Sequence, residues 1–241
     1  VNDATLSVII PAHNAAATLE ALVEACLSLL PRSFADIEII IVDDGSSDDT
    51  PRLAVRLAAA HDAVVVLHQR SRGGFGVALA HGAGAARGDY IAVLAVETPR
   101  AADDLLRLAP ALSGAAVVTG VPQGGAAPAH DGWLQGAEHG PLVARADALR
   151  ALAPVSRSRQ ILPEIVYRAR RAGLAVEVVG LPEAPAPRSS LAAGLERLRL
   201  RSQIDRGEGR WLGGPPWQVK ALAGGALAAL LGGAWVALRR R

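Results

Sequence analysis

Four consecutive β-branched residues, Ile39-Ile40-Ile41-Val42, run without polar alternation into Asp43-Asp44-Gly45-Ser46-Ser47-Asp48. A strand with no polar face has to be buried on both sides, which calls for a parallel sheet covered by helices above and below. Gly45 and the Ser and Asp residues after it supply turn and helix N-cap chemistry. Ligands of open α/β sheets sit beyond the carboxyl ends of the strands, so paired carboxylates at this point mark a ligand-facing edge.

The rest of the chain repeats the alternation of strand and helix. Leu6–Ile10 is a short apolar strand closed by Pro11, and Ala15–Leu30 carries apolar residues at helical spacing until Pro31. With the strand at Ile37–Val42 these form a parallel βαβ unit. A helix over Asp48–Ala60, with Pro51 near its first position, leads to a strand at Ala63–Leu67. A Gly-rich turn opens a helix from Gly74 to Arg87, and Gly88-Asp89 turns the chain into a buried strand at Tyr90–Leu94. A helix at Ala101–Ala109 follows, then strands near Ala115–Thr119 and Leu142–Arg145 around a Gly- and Pro-rich loop between Val121 and Pro141. Loops of that length are commonly lids or mobile segments. Helices near Asp147–Leu152 and Leu162–Ala172 precede a last strand, Ala175–Val179.

A chain of 241 residues, 51% of them hydrophobic, has room for one large domain with an appendage. The single cysteine, Cys26, excludes an intramolecular disulfide and fits a reducing compartment. Asn2 and Asp3 precede a strand that starts by Ser7, leaving no room for a signal segment, so the globular part is expected in the cytoplasm. Charge is uneven: residues 1–187 hold 15 basic and 20 acidic side chains, residues 188–241 hold 10 and 3. A basic tail beside an apolar run points to anionic lipid. With only 3% aromatic residues the stacking platforms of single-stranded nucleic-acid binding are scarce, and no nucleic-acid partner is expected.

From Trp217 to Leu238 the chain is apolar except for Gln218 and Lys220, and it ends in three arginines. Trp217 and Trp235 are 18 residues apart, about 27 Å of helix against a hydrocarbon core of about 30 Å, so they suit interfacial anchors of a transmembrane helix. A helix lying in the interface is the alternative. Gly224-Ala228-Gly232 and Gly225-Ala229-Gly233 repeat a small residue every four positions, which suits a homodimer or membrane partner, or reflects Ala/Gly bias alone. Leu191–Ile204 sets leucines among Arg197, Arg199 and Arg201, a helix that either lies on the bilayer or packs on the globular domain. The organisation expected is a domain over 1–187, a basic amphipathic linker over 188–215 and a transmembrane helix with a basic end over 216–241.

Three ordered pieces of the chain resemble family two glycosyltransferases. They are Ser7-Val8-Ile9-Ile10-Pro11-Ala12-His13-Asn14, then Ile41 through Thr50, then Gly73-Gly74-Phe75-Gly76 through Gly88-Asp89-Tyr90. The likeness is closest to the dolichyl or polyprenyl phosphate mannosyl- and glucosyltransferase branch. It is strong over residues 5–108, looser to about 187 and does not reach the tail. It implies a Rossmann-like GT-A fold with a mainly parallel sheet, and an inverting hexosyltransferase with a nucleotide-diphosphate-sugar donor. On that likeness Pro11, His13 and Asn14 lie beside the base, and Asp43 and Asp44, followed by Gly45, bind base or ribose. A flat side chain at position 13 stacks on a base and strand-end carboxylates accept from ribose hydroxyls; a solvated turn histidine is the plainer account of His13. Arg70 either offsets the diphosphate charge or is a solvated loop arginine.

The family carries an Asp-x-Asp metal motif where this chain reads Ala95-Val96-Glu97. The resemblance implies Mg2+ or Mn2+ as cofactor, with Glu97 as the remaining metal ligand and catalytic carboxylate. Asp103 and Asp104 suit the first turn of the following helix better than a metal. A phosphate acceptor is already ionised and needs cations rather than a general base, which favours polyprenyl phosphate as acceptor. Arg145 and Arg188 are the candidate holders of that phosphate, with surface arginine as the alternative for each. The expected protein is a membrane-bound glycosyltransferase facing the cytoplasm. The alternative is a catalytically impaired scaffold or binding protein on the same fold. A dinucleotide-binding Rossmann domain is excluded, because Pro11-Ala12-His13-Asn14 stands where the glycine fingerprint belongs.

Overall fold

A computed structural model of the protein describes residues 3–98, 100–122, 136–182 and 191–206. The elements run β1 (Thr5–Ala12), α1 (Leu19–Leu29), β2 (Asp36–Asp43), α2 (Thr50–Ala60), β3 (Val64–His68), α3 (Phe75–Ala85), β4 (Tyr90–Val93) and α4 (Ala101–Leu108). They continue through β5 (Val117–Pro122), β6 (Leu142–Arg145), α5 (Ala146–Leu152), α6 (Ile161–Arg171), β7 (Val176–Leu181) and α7 (Leu191–Asp205). The described strands form one sheet in the order β3-β2-β1-β4-β6-β5-β7.

β1 pairs in parallel with both β2 and β4, and β2 with β3. The chain therefore leaves β1 in opposite directions across the sheet, and the crevice at the carboxyl ends of β1 and β4 is the topological switch point of the fold. Beyond β4 the sheet is mixed: β6 is antiparallel to both β4 and β5, and β5 is parallel to β7.

The unbroken apolar runs are buried on both faces, as their composition requires. Val8, Ile10, Ile39 and Ile41 join Leu22, Val23 and Cys26 of α1 and Leu105 of α4 in one core. The intervening Ile9, Ile40 and Val42 join Leu79 and Ala83 of α3, Leu149 of α5 and Ile165 of α6 in the other. Each such side chain contributes about 1.5–3 kcal/mol by leaving water, so β1 and β2 stabilise the cores on both faces of the sheet.

Helix α1 begins at Leu19, four residues later than apolar spacing suggests. Asn14 takes a left-handed φ of 52°, and the next two N–H groups are claimed by side chains of the loop after β2 and of the first residue of α2. Ala15 donates to Thr50 Oγ1 at 2.7 Å and Ala16 to Asp48 Oδ2 at 3.2 Å. Polar side chains from another element thus hold residues 14–16 out of the helix.

The linker helix appears as α7, and it packs on the domain: Leu200 and Ile204 meet Tyr167 of α6, whose hydroxyl donates to Asp205 at 2.9 Å. Its Leu195 and Leu198 are exposed, 68% and 64%. No helix among the described residues is long and apolar enough to cross a membrane. The expected transmembrane helix over 216–241, the small-residue repeats and residues 123–135 of the expected lid lie outside the described residues.

Candidate active site

The carboxyl ends of β1 and β2 bring His13, Asn14, Asp43 and Asp44 together. His13 Nδ1 donates to the Asp44 carbonyl at 3.0 Å, which fixes the tautomer and leaves Nε2 for other partners. Asn14 Oδ1 accepts the Ser47 N–H at 2.8 Å, and the Asn14 N–H donates to Ser46 Oγ at 3.0 Å. The two tips are thereby stitched to each other. Pro11 is buried beneath them, and Gly45 forms the turn.

Both strand-end aspartates are 4% exposed and both are engaged. Asp43 accepts the Ser46 N–H at 3.1 Å and faces His68 Nδ1 at 3.3 Å. Asp44 accepts the N–H of Gly73 at 2.6 Å and of Gly74 at 2.9 Å, one on each oxygen. It thus holds the turn that starts α3, where Gly74 has a φ of 98° that side-chain-bearing residues avoid. Each carboxylate oxygen retains a second lone pair for a ribose hydroxyl or base N–H. Arg70 lies exposed in the loop between β3 and α3.

Beyond β4, Ala95 and Val96 are buried and Glu97 is exposed. The Glu97 carboxylate is ion-paired with Arg159 Nη2, and the guanidinium lies over the Phe75 ring, 4.9 Å from its centroid. Arg159 is carried by residues 155–160, a segment clamped from three sides. Glu164, fully buried, accepts the Val155 and Ser156 N–H groups at 2.9 and 2.8 Å. The Gly76 N–H donates to the Arg157 carbonyl at 2.8 Å, and a Cβ on Gly76 would stand 1.9 Å from the Ser156 carbonyl. Ser156 and Ser158 hydroxyls both donate to Glu196 of α7, at 2.8 and 2.7 Å. His139 lies close enough to feel Arg159: burial first, then that positive charge, push its pKa below the usual value against the pull of Glu138.

A resident divalent ion does not fit positions 95–97. One of the three offers a methyl group, the one carboxylate is taken by a guanidinium, and no cluster of three His, Cys, Asp or Glu residues among the described residues could hold a metal. Asp103 and Asp104 stand in the first turn of α4, as expected.

Arg145 is not brought to this edge. It pairs with Tyr90, the first residue of β4, while Leu142 pairs with Val93, so Arg145 lies about 10 Å down the strand from the crevice. Its guanidinium is held by Asp147, with Nη2 to Oδ2 at 2.6 Å. Arg188 lies outside the described residues.

Residues 7–151, more than half of the chain, match the profile of glycosyl transferase family 2. The chain belongs to that family. Among curated relatives, this family 2 chain is 36% identical over 89 residues to glycosyltransferase GlyG of Streptococcus pneumoniae, covering 37% of this chain and 29% of that protein. It is 42% identical over 90 residues to glycosyltransferase AglD of Haloferax volcanii, covering 36% of this chain and 14% of that one. The chain thus spans less than a third of the length of these relatives. Glucosyl-3-phosphoglycerate synthase from Mycobacterium tuberculosis, solved with Mn2+, UDP and glucosyl-3-phosphoglycerate, has the same GT-A fold. The TM-score is 0.62 at 22% identity, covering 84% of this chain and 77% of that one.

Arg159, Phe75 and Glu164 are the site residues that sequence reasoning misses. Phe75 stands in the Gly73-Gly74-Phe75-Gly76 segment, and the signal for Arg159 is the pair of arginines, Arg157 and Arg159, set just before an apolar-periodic helix.

Proposed function

We propose that this family 2 chain is the donor-binding part of a membrane-associated enzyme that transfers a hexosyl group, with inversion, from a nucleotide diphosphate to a polyprenyl phosphate at the cytoplasmic membrane face. The observation that carries the donor half is the stitched group of His13, Asn14, Asp43 and Asp44 at the carboxyl ends of β1 and β2, beside the switch point of a family 2 fold. His13 offers a face and Nε2 to the base, the aspartates accept from base or ribose, and Arg70 stands exposed on the same edge.

The acceptor half rests on chemistry. Among the described residues, the carboxylates at this edge already hold protein donors: Asp43 those of Ser46 and His68, Asp44 those of the glycine turn, Asp48 those of Thr50 and Ala16, Glu97 that of Arg159. An acceptor that arrives ionised, as a phosphate monoester does near neutral pH, needs none of them as a base. The exposed leucines of α7 and the apolar, basic sequence after it suit a lipid-borne acceptor.

A second reading, a binding or scaffolding protein without turnover, is favoured by one observation, the methyl group of Ala95 in the metal motif. The test is calorimetric titration of the detergent-solubilised full chain with UDP-glucose and GDP-mannose, followed by transfer of labelled sugar to polyprenyl phosphate. Saturable binding of one donor and a labelled lipid product are expected. Binding without any product supports the scaffold, and no nucleotide binding overturns the donor assignment.

A further inference from the structure

We propose that Arg159 is the resident cation of the site and holds the donor diphosphate in place of a divalent metal; the inference rests on the donor reading above. Sugar transfer breaks the bond between the anomeric carbon and the diphosphate oxygen, and the bonding pair leaves with the nucleoside diphosphate. An oxygen of the acceptor phosphate supplies the pair for the new bond to that carbon, so no proton has to move. What the site must supply is positive charge where the leaving diphosphate gains its electrons.

Positions 95–97 cannot supply it through a metal, and an isolated Glu97 would repel a diphosphate. Arg159 changes the sign of the place. It neutralises Glu97 with Nη2 alone, and Nε and Nη1 carry no hydrogen bond among the described residues. Nε–H and the Nη1 hydrogens lie in the guanidinium plane on different edges, so each can donate to a separate phosphate oxygen. Glu97 then has a role that needs no metal, which is to orient the guanidinium.

Location and rigidity point the same way. The Phe75 ring under Arg159 directly follows Gly73-Gly74, the turn that Asp44 holds, so the guanidinium sits one short step along the crevice from the expected ribose site. Its carrier segment is fixed by Glu164, by Gly76 and by Glu196, so the charge is in place before a donor arrives. The buried methyl of Ala95 completes the exchange. It removes the negative charge that would compete with the diphosphate for Arg159.

The experiment measures affinity of the full-length protein for UDP-glucose, GDP-mannose, uridine and guanosine, each with excess chelator and with Mn2+. Donor affinity is expected to agree within about twofold between the two conditions. Arg159→Gln should weaken the donor at least tenfold in both and leave the nucleoside, which lacks phosphates, unchanged. Arg159→Lys, which keeps the charge and loses the planar set of N–H donors, should fall between. A donor affinity that collapses in chelator, returns with Mn2+ and ignores both Arg159 variants overturns the inference and leaves the donor reading standing. Absence of donor binding in every condition overturns the donor reading, and the inference with it. An Arg159→Gln protein that loses nucleoside and donor equally shows a structural role and also overturns it.

Discussion

Asp44 receives the N–H groups of Gly73 and Gly74 on its two oxygens, at 2.6 and 2.9 Å, and so ties the end of β2 to the start of α3. Asparagine keeps one acceptor and turns its NH2 toward the other N–H. Two donors then face each other at a site 4% exposed, at a cost of about 1–3 kcal/mol for the unmet group. Asp44→Asn should therefore lower unfolding free energy by about 2–3 kcal/mol in urea titration. Asp43→Asn should cost under about 1 kcal/mol, because its amide oxygen can still accept from Ser46 and its NH2 can turn to His68 Nδ1. Equal losses would show that the two aspartates share the structural task.

Glu38 fastens the opposite end of the sheet. Its carboxylate accepts from Ser7 Oγ at 2.6 Å, from the Arg87 N–H at 2.5 Å and from the Arg87 guanidinium at 3.0 Å. Partial burial pushes its pKa up, but these hydrogen bonds and the arginine charge together outweigh burial and leave it below the usual 4.5. A carboxylate with a depressed folded pKa stabilises the protein above its unfolded pKa and loses that contribution as pH falls through the folded one. Stability should thus drop with acid below about pH 5, and the drop should be shallower in Glu38→Gln. Denaturant titrations at several pH values compare the two slopes.

Much of this fold is legible in the sequence because its signals are local. Each strand and helix of the first half is announced by apolar runs, by Pro31 and Pro51, and by glycine turns, and the observed bounds fall within a few residues of those signs. The late start of α1 is not legible, since it depends on Thr50 and Asp48 reaching back to Ala15 and Ala16. The antiparallel place of β6 is hidden for a related reason, that three apolar residues and an arginine suit either direction. At the site, the strand-end residues can be read from the Asp-Asp-Gly-Ser turn. The Arg159 pairing with Glu97 spans 62 residues, and no spacing rule reaches across that distance.

Cys26 is fully buried in the core under α1, and burial raises its thiol pKa to about 12. Only the thiolate attacks a disulfide reagent, so the native protein should be inert to Ellman's reagent at pH 8. One thiol per chain should appear on unfolding in guanidinium. Labelling of the native protein at the rate of an exposed thiol would mean that α1 opens locally at low cost.

Glu164 is the buried charge on which the Arg159 segment depends. It accepts from Val155 N and Ser156 N and also from Arg168 Nε at 2.7 Å, while Arg168 Nη2 is buried with no partner among the described residues. Removing one side of such a pair strands the other, so Glu164→Ala should cost about 3–5 kcal/mol. Arg168→Met in the Glu164→Ala background removes the stranded charge and should restore at least half of that loss. The two unmet N–H groups of Val155 and Ser156 remain in the double variant, however, and the segment that carries Arg159 stays loosened. The double variant should therefore recover stability in urea titration while still binding a nucleotide-sugar donor more weakly than the parent chain. Full recovery of both would separate the Glu164 hydrogen bonds from the positioning of Arg159.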